Sequence, residues 1–280
     1  MIYVLIMIGI IALVMLVSAV DCALHIDVAE YSEPVTGIES PIKIVCMSDL
    51  HGWSYGKDNC KLLALTAAQK PDVIIFAGDI ITRRATEKQV SRMLDLLVKL
   101  AEIAPVYFAT GNHEVDYMAE KGMDLLEDIA DTGVTVLYDS FTEVQIGGNM
   151  IRIGAASGRY FDGSERDNAA LQMLEEIGKD DTPSIAVVHQ PENIFKQEKR
   201  SAWTADLYLG GHTHGGVWRI PGLGGVMSPG EGLFPKYDRG RFVIDDKMPL
   251  ILNGGLSGYY FIPRVFNRPE ICVIKLFGKG

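Results

Sequence analysis

The chain has 280 residues, 48% of them hydrophobic and 22% charged, a balance that suits a globular protein with a substantial core and excludes a disordered one. Its formal net charge is -10 and no block of Lys and Arg interrupts the sequence, so it cannot neutralise a run of phosphates. Sequence-independent nucleic-acid binding is thereby excluded.

The first element is an uncharged apolar run over residues 1–20. About twenty such residues cross a hydrocarbon core of roughly 30 Å as a helix. A cleaved signal peptide is the rival reading: the basic n-region is missing and the apolar run is long, although Val17-Ser18-Ala19 is an acceptable cleavage site. A core helix would carry a polar face, and none is visible. An uncleaved transmembrane anchor is expected. Neither flank carries Lys or Arg close by, so the positive-inside rule gives no orientation. The acidic flank, with Asp21, Asp27, Glu30, Glu33 and Glu39 before Lys43, favours a following domain outside the cytoplasm.

Residues 21–40 read as a juxtamembrane connector with room for a short strand, and residues 41–280 as the main domain. Strand-like runs are expected at 42–48, 71–79 and 104–111, separated by helical patterns at 61–70 and 86–103. A helix over 117–133 is stopped by Gly133, and strands follow at 134–139 and 149–157. A helix at 169–179 precedes strand-to-loop units at 182–190 and 205–212. The segments 241–257 and 269–278 suggest antiparallel hairpins in a mixed second sheet, packed face to face with the first. Such alternation predicts an α/β domain with helices covering a largely parallel sheet. Cys22, Cys46, Cys60 and Cys272 form no CxxC pair; Cys46 and Cys272, inside strand-like runs, are expected as buried free thiols.

The polar residues directly after the apolar runs share a placement. Asp49-Leu50-His51, Gly78-Asp79, Gly111-Asn112-His113-Glu114, His189 and His212-Thr213-His214 all follow strand-like segments. Loops at the carboxyl ends of strands in open α/β sheets line one crevice, so these groups can converge. Only His25 among the six histidines lies elsewhere. Oxygen and nitrogen donors without thiolates suit divalent Mn, Fe or Zn, and one carboxylate can bridge two ions. Two ions about 3.5–4 Å apart clamp both oxygens of an in-line phosphoryl displacement. The neutral amide of Asn112 adds a ligand without adding charge that would repel an anionic substrate. The glycines at 78, 111, 211, 215 and 216 suit backbone lying close to metal or phosphate.

These five motifs, in this order, resemble those of calcineurin-like metallophosphoesterases over residues 41 to 277. The flanking "GHTHGG", "LFPKYDRGRF", "NGGLSG" and "RPEICVIKL" are similar to a bacterial branch with an N-terminal anchor or signal, which includes UDP-diacylglucosamine pyrophosphohydrolases. The resemblance implies a four-layer αββα sandwich of two mixed β-sheets, here preceded by one transmembrane helix. It also implies that Asp49, His51 and His214 hold one ion, that Asn112, His189 and His212 hold the other, and that Asp79 bridges them. By the same resemblance His113 is catalytic, contacting phosphate to stabilise the transition state or protonate the leaving oxygen.

The implied reaction is hydrolysis of a phosphodiester, pyrophosphate or phosphomonoester by metal-activated hydroxide, and no Ser or Cys stands out as a nucleophile. Manganese, iron and zinc all accept such ligands. Arg83, Arg84, Arg159, Lys236, Arg239 and Arg264 are candidates for binding further substrate charge. The apolar loops 218–227 and 255–266, near a membrane anchor, suit an access path for a lipid-linked or nucleotide-lipid envelope substrate. A non-catalytic phospholigand- or lipid-binding module is the alternative, which an intact ligand set disfavours. A metallo-β-lactamase-like hydrolase is excluded because its His-x-His-x-Asp-His run is absent. Glu114 is expected to support the site rather than to react.

Overall fold

The computed structural model describes residues 1–161, 167–196, 198–259 and 262–279. The chain begins with α1 (Ile2–Leu24), of which only Cys22 is buried. It is one helix apolar enough to cross a membrane. It runs four residues past the expected boundary at 20, through Asp21 to Leu24. The connector then forms β1 (Asp27–Val35), a nine-residue strand rather than a short one.

From there strands and helices alternate: β2 (Ile42–Met47), α2 (Cys60–Ala68), β3 (Val73–Ala77), α3 (Glu87–Ala101), β4 (Val106–Ala109), α4 (Asn112–Lys121), α5 (Leu125–Ala130) and β5 (Thr135–Leu137). The start of α3 is written locally: Thr86 caps it by accepting from the Gln89 N–H, while the Gln89 side chain accepts from the Thr86 N–H. The helix expected over 117–133 is instead two helices. Gly122 takes a left-handed φ of 64° and ends α4, and the Asp124 carboxylate caps α5 by accepting from Leu126 and Glu127.

The second half contains β6 (Ser140–Ile146), β7 (Asn149–Ala156), α6 (Asn168–Glu176), β8 (Ser184–Val188), α7 (Glu192–Phe195) and β9 (Leu207–Gly210). Four two-residue strands follow in two ribbons, β10 (Arg219–Ile220) with β11 (Gly224–Gly225) and β12 (Met227–Ser228) with β13 (Gly232–Leu233). Last come β14 (Gly240–Ile244), β15 (Met248–Leu252) and β16 (Glu270–Gly278).

The strands form two six-stranded mixed sheets, ordered β1-β16-β2-β3-β4-β5 and β14-β15-β9-β8-β7-β6. The β14–β15 hairpin is antiparallel, as its sequence suggests. The C-terminal strand departs from expectation: β16 inserts into the first sheet, antiparallel to β2 and parallel to β1, and makes no hairpin with β15. Cross-strand partners so distant in sequence leave no mark on local periodicity. Strand β6, also unforeseen, pairs with β7 through a Gly147-Gly148 turn in which both glycines have positive φ.

Two-residue alternation divides the interior. Ile74 and Phe76 of β3 face Leu62, Met93 and Leu97 of the helices, whereas Val73, Ile75 and Ala77 face Ile153, Val187 and Leu209 of the second sheet. Trp203, Tyr208, Met173 and Leu174 form a third cluster beyond that sheet. Three apolar layers between four layers of elements make the αββα sandwich, whose strands read as continuous apolar runs because both faces are covered. Cys46 and Cys272 are buried, unpaired and opposite one another across β2 and β16, as expected of structural thiols.

Candidate metal centre

The loops leaving β2, β3, β4, β8 and β9 meet at one edge of the sandwich. Their backbones are laced together: the Asp49 N–H donates to Gly78 O (3.0 Å), the His51 N–H to Asp79 O (3.0 Å), and the Gly211 N–H to His189 O (3.0 Å). Five residues of these loops take left-handed φ without being glycine: Asp49 (53°), His51 (49°), Asp79 (58°), His212 (67°) and His214 (50°). Such conformations cost on the order of 1–3 kcal/mol each and persist where surrounding structure enforces them, typically at functional sites.

The side chains converge. His189 Nε2 lies 3.2 Å and His51 Nε2 3.7 Å from Asp79 Oδ2, while His51 and His214 Nε2 each lie 3.7 Å from Asp49 Oδ1. Two donor clusters result, Asp49–His51–His214 and Asp79–His189–His212, each compact enough to hold an ion; a third grouping joins Asp79 to His51 and His113. Asn112, at the start of α4, has its amide oxygen 3.4 Å from Gln190 Nε2. His25 stays apart at the end of α1, beside Asp21.

Hydrogen bonds fix the imidazole tautomers. His189 Nδ1 reaches Ala77 O (2.6 Å), His51 Nδ1 reaches Ile81 O (3.3 Å) and His214 Nδ1 reaches Ser257 O (3.4 Å). A proton on each Nδ1 leaves a lone pair on Nε2, the arrangement a metal ligand needs. His51 Nε2, His189 Nε2 and Asp79 Oδ2 are buried with no hydrogen-bond partner in the described structure. Orphaned lone pairs in such a cluster are costly unless a cation satisfies them, so this donor set fits divalent ions. His113 is the opposite case. Its Nδ1 accepts from the Arg83 N–H (2.9 Å), which leaves the neutral ring protonated on Nε2 and facing Asp79 Oδ2 at 4.0 Å.

Electrostatics follow burial. Desolvation opposes the Asp49 charge, but the imidazoles of His214, His189 and His51 outweigh it and hold the carboxyl well below the usual range. Burial, helped by His51 and His189 and opposed by Asp79, pushes His113 down, and burial pushes Glu114 up to about 7, helped by the nearby Asp79 charge. Glu114 accepts the N–H groups of Asp79 (2.8 Å), Gly111 (2.7 Å) and Ile81 (3.2 Å), clamping the β3 loop to the first turn of α4. It supports the site, as expected. A Cβ on Gly111 would collide with the Asp79 carboxylate. Gly111→Ala should therefore lower metal affinity by about 10- to 100-fold with little change in circular dichroism, as titration calorimetry would show.

The "GHTH" stretch is not extended. His212 and His214 are left-handed on either side of a right-handed Thr213, whose hydroxyl bonds to Asp238 O. The two imidazoles still reach different clusters, through loop geometry rather than strand alternation. Nor do Gly215 and Gly216 serve to leave room at the donor clusters: a Cβ there would meet Asn267 and Gly225, so both make room for protein.

A cleft of about 310 Å³ opens beside His51, His113 and His214. Its walls include Trp53, Leu256, Ile262 and Pro263, together with Ala19, Cys22 and Ala23 of α1. Tyr260 and Phe261 of the apolar loop lie outside the described residues. Loop 218–227 does not line this cleft; part of it borders a second one that shares Cys22 of α1 with the first. Of the six candidate cations, Arg264 alone lines the first cleft. It is buried, donates to Ser257 O and Gly254 O (2.6 Å each), and has an Nη1 without a partner. Burial brings it down to about 10, still cationic near neutrality. Arg239 is tied to Glu270 (3.2 Å) and Arg159 to Asp139 and Asp167 (3.7 and 3.5 Å). Arg83 lies 3.9 Å from Asp116, Arg84 is exposed, and Lys236 sits over the Tyr237 ring.

Sequence reading passed over three supporting residues. The Tyr160 hydroxyl lies 3.2 Å from His212 Nε2, Gln190 meets Asn112, and Ser48 donates to Asp49 Oδ2 (2.5 Å). Each is a direct chain neighbour of a motif residue or, for Tyr160, follows the carboxyl end of β7 at the same edge, so the strand-end rule could have found them.

The sequence profile described as "Calcineurin-like phosphoesterase" matches residues 42–216, more than half of the chain. The chain is 28% identical to phosphodiesterase YaeI of Escherichia coli (strain K12) over 241 residues, covering 85% of this chain and 83% of that one. It is 26% identical to the metallophosphoesterase YkuE of Bacillus subtilis (strain 168) over 238 residues, covering 84% and 78%. Among solved structures, TT1561 of Thermus thermophilus aligns with a TM-score of 0.49 at 14% identity, covering 77% of this chain and 90% of that one.

Proposed function

Because the chain belongs to the calcineurin-like phosphoesterase family, a family of metal-dependent phosphoric ester hydrolases, we propose that its strand-end cluster is a binuclear centre acting on a phosphodiester, pyrophosphate or phosphomonoester. In this reading Asp49, His51 and His214 hold one ion, Asn112, His189 and His212 hold the other, and Asp79 serves both. The observation that carries it is the convergence of buried, unpartnered His51 Nε2, His189 Nε2 and Asp79 Oδ2.

Divalent ions bound there supply Lewis acidity toward phosphoryl oxygens and a lowered pKa for water. The remaining work falls to the chain. His113 Nε2–H donates a hydrogen bond to the phosphoryl or leaving oxygen, and the neighbouring Arg264 guanidinium keeps the cleft positive. Glu114 and Gln190 hold Asp79 and Asn112 in place, and Tyr160 braces His212.

The apolar cleft walls and the three α1 residues among them favour a lipid-linked or nucleotide-lipid envelope substrate, in keeping with the UDP-diacylglucosamine pyrophosphohydrolase-like branch. We read α1 as an uncleaved anchor with the catalytic unit outside the cytoplasm, supported by the acidic flank. That unit includes β1, which pairs along its whole length with β16, so a truncation at residue 40 would strip the first sheet of its edge.

The test uses the full chain in detergent, stripped with chelator and reloaded with Mn, Fe or Zn. Hydrolysis of a generic aryl phosphodiester should vanish on chelation and return with metal. Acylated nucleotide substrates should be turned over faster than deacylated ones; equal rates would remove the lipid reading while leaving the hydrolase reading intact.

A further inference from the structure

The end of α1 is flanked by exposed apolar side chains. Trp53, 51% exposed, lines the first cleft. Beside a second cleft the β10–β11 hairpin carries Ile220 (43%) and Leu223 (66%), and Phe266 (44%) stands with them. These three border that cleft together with Ser18, Asp21 and Cys22 of α1. We propose that this hairpin and Phe266 form a membrane-seating surface, inserted into the interfacial zone of the bilayer that α1 spans. The proposal rests on α1 being an uncleaved anchor.

The helix acts as a depth gauge. The Phe266 N–H donates to Ser18 Oγ (2.7 Å), which places Phe266 beside a residue two positions inside the end of the uncharged run. At 1.5 Å per residue that is about 3 Å within the apolar boundary. Immediately beyond it, Arg268 pairs with Asp21 (2.6 Å) and Asp27 (3.2 Å), a charged cluster that belongs on the water side. The hairpin is held at the same level: the Arg219 N–H donates to Val265 O (3.0 Å), and the Trp218 indole N–H donates to Pro263 O (2.8 Å). Apolar and aromatic residues just inside the boundary, with Trp218, Arg219 and Arg268 at its rim, is the layering of a membrane interface.

Phe266 also takes a left-handed φ of 52°, a conformation a bulky residue adopts only when held there. A bilayer covers hairpin and helix together, because both expose apolar side chains and they border one cleft. A second copy of this chain seated on the hairpin would leave the exposed length of α1 to be covered separately.

Site-specific quenching of the full-length protein in phosphatidylcholine vesicles tests the proposal. In a Cys60→Ser background, which removes the exposed thiol, an environment-sensitive fluorophore is placed by Leu223→Cys, by Ile10→Cys, and by Glu102→Cys at the far end of α3. The label at 223 should be blue-shifted and quenched by lipids spin-labelled near the headgroup. The label at 10 should be quenched by deep labels, and the label at 102 by neither. Quenching at 10 with a solvent-like signal at 223 overturns the seating surface and leaves the anchor standing. No quenching at 10 overturns the anchor and the seating surface with it. Unquenched 223 accompanied by 223–223 disulfide crosslinking of the unlabelled Leu223→Cys variant replaces the bilayer with a second copy.

Discussion

Asp79→Asn is expected to lower kcat/KM by about a thousandfold or more while leaving the circular dichroism spectrum intact. The reason lies in how many tasks the carboxylate combines. Its Oδ1 accepts the His113 N–H (2.9 Å), and its Oδ2 faces His189 Nε2 (3.2 Å) and His51 Nε2 (3.7 Å) from the two donor clusters. A carboxamide has one acceptor oxygen and no charge, so it cannot keep the His113 contact and also serve two cations. Metal analysis should therefore find fewer than two ions per chain alongside the lost rate. Two retained ions with full activity would refute the bridging role.

His113→Asn should cost about 10²- to 10³-fold in kcat, and its pH dependence is as informative as its size. The Arg83 N–H pointing at His113 Nδ1 disfavours the imidazolium, which would oppose two N–H groups, and burial lowers the ring's affinity for the proton as well. The working form is then the neutral ring donating from Nε2, already present near neutrality. A donor that is neutral throughout predicts a flat ratio of wild-type to variant rates between roughly pH 6.5 and 9. An imidazolium acid predicts instead an advantage that shrinks as pH rises through the folded pKa. A ratio falling about tenfold per pH unit would identify the cation as the working form.

Much of this architecture is legible locally. Strand β3 announces itself as an unbroken apolar run because both its faces are covered. Helix α3 is written in its capping box, and the site was visible because polar residues at the carboxyl ends of parallel strands must share an edge. The failures have a common cause. Asn112-His113-Glu114 directly follows a strand-like run and carries no helical pattern of its own, yet it is the first turn of α4, which Glu114 stabilises by reaching back to the Gly111 N–H. His212 and His214 alternate directly after a strand-like run, as they would in an extended segment, yet both backbones are left-handed, held by hydrogen bonds such as His212 N–H to Asp49 (3.0 Å). Tertiary contacts at a functional site override the local preferences that sequence patterns report.

Strand β16 sets the order in which the protein can assemble. It lies between β1 and β2, pairing Glu270 with Asp27 and Cys272 with Cys46, so β1 has no partner and β2 has only β3 until β16 is in place. Pairings of such sequence separation close late and slowly. Until then β1 and one side of β2 are open edges, the state most exposed to pairing with the wrong chain. Loss of β16 would leave the strand-end donor clusters in place on an unfinished sheet.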